Sequence, residues 1–91
     1  MVHPPAFRLP ILVETAVGGR GRVVAHVRMA GEVCLSWPPI VRRTRSYKAA
    51  VQALVMALEG QGDVEVARQS FFVVAKEVGV FLREVPLRGL A

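Results

Sequence analysis

The amino-acid sequence predicts an α+β fold: a three-stranded antiparallel meander, a helix, a short fourth strand and a long C-terminal helix. Three observations carry that prediction. Apolar residues alternate with period two over Leu9–Val17, Arg22–Met29 and Glu32–Trp37, with glycine turns between them. Tyr47, Ala50, Val51, Leu54, Val55 and Leu58 recur at the spacing of one helical face. From Phe71 to Val85 ten of fifteen residues are apolar, which asks for burial on most sides.

A chain of 91 residues makes one domain, because two would each be too small to build a core unaided. Residues 1–8, with His3-Pro4-Pro5, form an irregular leader, 9–85 the core and 86–91 a tail. In the first strand Leu9, Ile11 and Val13 alternate with Pro10, Leu12 and Ala16, apolar on both faces, as in a central strand. Gly18-Gly19-Arg20-Gly21 makes a tight loop, and Val23, Ala25, Val27 and Met29 give the second strand one apolar face. Ala30-Gly31 turns the chain into Val33, Leu35 and Trp37, and Pro38-Pro39 ends the meander. The helix over Ser46–Glu59 is capped by Thr44 or Ser46 and stopped by Gly60. Val64–Arg68 reads as a strand or as the first turn of a longer helix. Turn chemistry in Gly60-Gln61-Gly62-Asp63 and the Val-Glu-Val alternation favour the strand, while Val64, Ala67, Phe71, Val74, Val78, Phe81 and Val85 also fit a seven-residue seam.

The charge is uneven. Ten Arg and two Lys oppose seven acids, and residues 1–48 carry +6 of the net +5, the remainder −1. Such a bias suits an anionic partner, which arginine grips through its planar fork. The sharpest concentration is Trp37-Pro38-Pro39-Ile40-Val41-Arg42-Arg43-Thr44-Arg45 at a helix start. There Arg42, Arg43, Arg45 and Lys48 oppose the helix dipole, and an anion bound to them would relieve the conflict. Trp37 would then offer a stacking face to an exposed base, with Arg20 and Arg22 as further contacts; alternatively the arginines are solvated and Trp37 packs in the core.

Other chemistry is sparse. A single Cys34 allows no intrachain disulfide and fits a reducing compartment. No stretch reads as a secretion signal or a membrane span, so a cytoplasmic location is expected. His26 and Cys34 fall on opposite faces of the predicted sheet, two His and one Cys make no zinc set, and the glycine loop lacks the Lys and Ser or Thr of a phosphate loop. No metal and no cofactor are expected. The absence of Asn is a feature of heat-adapted proteins.

The run from Thr44 through Glu59, the turn Gly60–Asp63 and the segment Val64–Ser70 resemble the centre of a ribonuclease H domain, over about residues 9–78. That resemblance implies that the short strand lies parallel beside the first. It also locates the family's metal-binding acids: Ala50 and Gln69 stand at two of them, and only Glu14, beside Thr15, remains near a third. Asp63, the sole Asp, lies at the wrong end of the short strand to substitute. Two-metal chemistry needs several converging carboxylates, so the expectation is a domain that binds without catalysing. The small residues from Ser46 through Ala50 to Ala57-Leu58-Glu59 are similar to the helix of HicB-type antitoxins, which share the shortened topology.

Two functions are therefore expected of the sequence. One is a nucleic-acid-binding or ribonucleoprotein accessory module acting through Arg42, Arg43, Arg45 and Lys48. The other is a protein-interaction subunit or antitoxin-like partner that forms a homo-oligomer or a hetero-complex through Phe72, Val73 and Val80 of its last helix.

Overall fold

The computed structural model describes residues 5–14 and 20–85. The fold is α+β, with strands β1 (Ala6–Glu14) and β2 (Gly21–His26), helices α1 (Val27–Ser36), α2 (Pro39–Arg42), α3 (Arg45–Leu58) and α4 (Val64–Val78), and strand β3 (Phe81–Glu84). The three strands form one antiparallel sheet in the order β2-β1-β3. β1 is central, as its two apolar faces require. It begins at Ala6, so residues 6–8 belong to the sheet and not to a leader. The pairing of β1 with β2 shifts between Ala6 and Ile11, and Pro10, which lacks an N–H, turns its carbonyl to the other side, where it accepts the Val85 amide at 2.8 Å. The predicted glycine loop lies mostly outside the described residues, as do Thr15 and the tail.

Helix α1 replaces the predicted third strand. Its buried residues Val27, Ala30, Val33 and Cys34 follow a helical stripe, and the strand-like alternation of Val33, Leu35 and Trp37 is incidental to it. His26 caps its start, with Nδ1 accepting the Met29 amide at 3.3 Å. Gly31, expected in a hairpin, sits inside the helix. The cost of a mid-helix glycine, roughly 1 kcal/mol, is outweighed by the burial of the residues around it.

Residues 64–68 are helical, and no strand pairs parallel to β1 among the described residues. Asp63 settles the matter locally: its carboxylate accepts the Glu65 amide at 2.7 Å, a helix cap. The element order that the ribonuclease H resemblance implies is thus not the one found. Nor does the last helix run on to Val85. It stops at Gly79, whose φ of 88° is left-handed, and whose neighbour Val80 donates to the Ala75 carbonyl at 3.0 Å. The chain then returns as β3, so Phe81 and Val85 of the supposed seam belong to the sheet region.

The core lies between the sheet and the helices. Phe7, Ile11, Val13 and Val24 meet Val27, Phe71 and Val74. α3 and α4 form an antiparallel hairpin, and Ala50, Ala57, Ala67 and Ala75, all buried, let the two backbones approach closely. Trp37 stacks on Phe71, with ring centroids 5.8 Å apart and planes 9° from parallel, and meets Tyr47 edge-on. Among the described residues Arg68 is the buried charge. Its guanidinium grips both oxygens of Glu65, at 3.0 and 2.8 Å, and Glu84 at 2.5 Å, tying α4 to β3.

Phe71→Ala is expected to destabilise the fold by about 3–5 kcal/mol, as it opens a cavity under Trp37; urea denaturation measures it. A second expectation concerns acid. The Arg68 guanidinium holds the Glu65 carboxyl below its ordinary 4.5, so this contribution is present above that value and lost as pH falls through the lowered one. Urea midpoints should fall over that interval, and less so in Glu65→Gln.

Candidate interaction surface

The predicted basic site divides when the chain folds. Trp37 is buried at 6% exposure, held between Phe71 and Tyr47, and offers no face to a base. Its aromatic partners are far away in sequence, which hides its burial from a local reading. Arg42 is exposed, but its Nε donates to the Trp37 carbonyl at 3.2 Å and its Nη2 to the Leu35 carbonyl at 2.8 Å. It therefore closes the carboxyl end of α1, where a cation complements the dipole. Arg22, on β2, is paired with Glu32 of α1 at 2.7 Å. Arg20 is exposed just before β2.

What remains is Arg43, Arg45 and Lys48 around the first turn of α3, all exposed and with no side-chain ion pair or hydrogen bond among the described residues. The turn itself is capped. Thr44 Oγ1 accepts the Tyr47 amide at 3.2 Å, and Ser46 Oγ donates to Glu77 of α4 at 3.1 Å.

The residues assigned to an oligomer interface are partly used within the chain. Phe72 packs on Phe81 at 4.6 Å between centroids, with Lys76 Nζ 5.4 Å from its ring centre. Val80 is half-buried, and its carbonyl accepts the Glu14 amide at 2.7 Å. Only Val73 is exposed. Part of the apolar excess of this region, Phe72, is covered by β3, which folds back because the helix ends at Gly79, while Leu82 of β3 stays exposed.

An uncovered apolar face exists elsewhere. Between α1 and α3 runs a groove of about 320 Å³ with Val27, Cys34, Val51 and Leu54 in its floor. Leu35 at 68% exposure and Val55 and Leu58 at 46% form its lips, and Arg28 and Glu32 stand at its α1 edge. The sequence signal for it was the breadth of α3's apolar arc: Val51, Val55 and Leu58 lie beside the core stripe of Tyr47, Ala50, Leu54 and Ala57. One neighbouring helix pair does not cover both.

Chemistry-bearing side chains are engaged structurally. His26, predicted on a strand face, is the α1 cap, and Cys34, predicted on the opposite face, lies in α1. Burial pushes the Cys34 thiol up to about 12, and the Cys34 carbonyl accepts the Tyr47 hydroxyl at 3.3 Å. Ala50 is buried in the helix hairpin, Gln69 donates to Glu65 at 3.2 Å, and Glu14 is exposed at the end of β1. Among the described residues no three His, Cys, Asp or Glu converge as a metal site would require, and no helix is long and apolar enough to cross a membrane.

Among protein families, residues 9–82 match one described as protein of unknown function (DUF982). No curated protein and no solved structure matches the chain.

The buried thiol gives a test at high pH. Because folding raises the Cys34 value from 9.0 to about 12, the native state loses stability across that interval. Denaturation midpoints should fall there and be flatter in Cys34→Ala, and alkylation at pH near 8 should be much slower native than in urea.

Proposed function

We propose that this chain, which belongs to the DUF982 family of proteins of unknown function, is a non-catalytic interaction module that docks a protein across the apolar face shared by α1 and α3. The observation that supports it is the cluster of Leu35, Val55 and Leu58, exposed together around a groove whose floor is the core itself. Scattered apolar residues are ordinary on a surface, whereas a contiguous concave patch marks a contact site. Covering what remains exposed of those three side chains contributes on the order of 3 kcal/mol, enough to anchor a small interface. A non-catalytic role agrees with the use of His26 and Cys34 as cap and core. A cytoplasmic setting agrees with the single, unpaired Cys34.

A second reading, an accessory module for RNA or DNA, is favoured by Arg43, Arg45 and Lys48, which make no side-chain ion pair among the described residues. It now lacks the base-stacking Trp37 and the freedom of Arg42. Binding of that kind falls steeply with added salt and disappears when the three residues become Ala.

The two readings separate in one experiment. A benzophenone side chain in place of Val55 is expected to give nuclease-resistant protein adducts in cells, and the same group in place of Arg83 on β3 to give none. Nuclease-sensitive adducts from a cross-linker at Arg43, with none from position 55, would replace the first reading by the second.

A further inference from the structure

The outer surface of α3 carries charges that its own dipole rejects. Arg45 and Lys48 occupy the first turn, where no acid is present, and Glu59 caps the end, where no base is present. Each is misplaced with respect to the partial charges at the helix ends. Between Lys48 and Glu59 the exposed positions are Ala49, Gln52, Val55, Met56 and Leu58; Gln52 and Val55 share the face of the two charges, a strip with a cation at one end and an anion at the other.

Resting on the docking reading above, we infer that the occupant of this face is a second copy of the chain, paired with its α3 antiparallel to the first across a two-fold axis. A two-fold axis passing between the helices, level with the peptide joining Ala53 and Leu54, sets Lys48 of one copy opposite Glu59 of the other and Gln52 opposite Val55. The surface is thus its own complement, as a closed two-fold interface demands. Both ion pairs form at once. Each misplaced charge also comes to lie beside the opposite end of the neighbouring dipole, so Lys48 and Arg45 approach the carboxyl end of the other α3 and Glu59 its amino end. The remaining lips of the groove, Leu35 and Leu58, flank the same contact.

The contact is small. A strip of one helix, about 20 Å long and 10 Å wide, covers less than a standard protein interface, so the pair is a weak one, populated at tens to hundreds of micromolar.

Sedimentation equilibrium of the whole chain provides the test. The wild type is expected to show a monomer–dimer equilibrium, and Val55→Glu to be monomeric. Lys48→Glu and Glu59→Lys each set like charges opposite one another twice and should weaken the dimer about tenfold, the loss of two exposed ion pairs and the gain of two repulsions. Mixing these two variants in equal amounts should restore association, because the mixed pair contains two Glu–Lys contacts. Each variant alone should melt no lower than the wild type at low concentration, since each relieves its own helix dipole. Single variants that associate like the wild type, or a mixture no stronger than its components, would overturn the pairing. A wild type still monomeric at about 0.5 mM, far above the range of even a weak specific contact, would also overturn it. In that case protein adducts from position 55 would leave the docking reading standing, and their absence would remove both.

Discussion

The stacked rings of Trp37 and Phe71 lie where three helices meet. Trp37 ends α1, Phe71 is near the centre of α4, and Tyr47, edge-on to Trp37, belongs to the first turn of α3. With Trp37 drawn inward, Pro38 and Pro39 must turn outward, and the single turn of α2 carries Arg42 back over the carbonyls that α1 leaves open. The position of α3 relative to α1 follows, and with it the groove between them.

How much of this was legible in the sequence depended on whether a residue's partners lie near it in the chain. β1 as the central strand, α3 with its Thr44 cap and its stop at Gly60, and the α+β class could be read from local pattern and turn chemistry. α1 could not, because Val27 to Trp37 satisfies both periods: Val33, Leu35 and Trp37 alternate, and Val27, Ala30, Val33 and Cys34 form a helical stripe. The choice was made by packing against α3 and α4, later in the chain. Asp63 was read as turn chemistry when it is a helix cap, and Gly79 as part of a helix when its left-handed backbone ends one.

The site was harder to read than the fold. Basic residues next to a tryptophan suggest recognition of an anion, but the structural duties of Arg22 and Arg42 rest on groups that only folding brings near: a carboxylate ten residues away and a pair of helix-end carbonyls. The surplus of apolar residues in the last helix is shared between the chain's own fold and its surface: Phe72 packs on Phe81, and Val73 stays exposed. On α3 the apolar arc is broader than its neighbours cover, and Val55, Met56 and Leu58 remain in water. The charges along that arc cost the isolated helix a few tenths of a kcal/mol each, partly offset where Glu77 reaches Ser46 from α4.

The sheet order β2-β1-β3 also sets a timetable. During synthesis β1 and β2 leave the ribosome together, but the ribbon that completes the other side of β1 is made only after α1 to α4. Until then the central strand has one bare edge of amides and carbonyls, open to pairing with a neighbouring nascent chain. Closing it requires contact between residues far apart in sequence, the slow kind of step. Pro10, which removes one donor from that waiting edge, limits how well a foreign strand can settle there before the chain's own arrives.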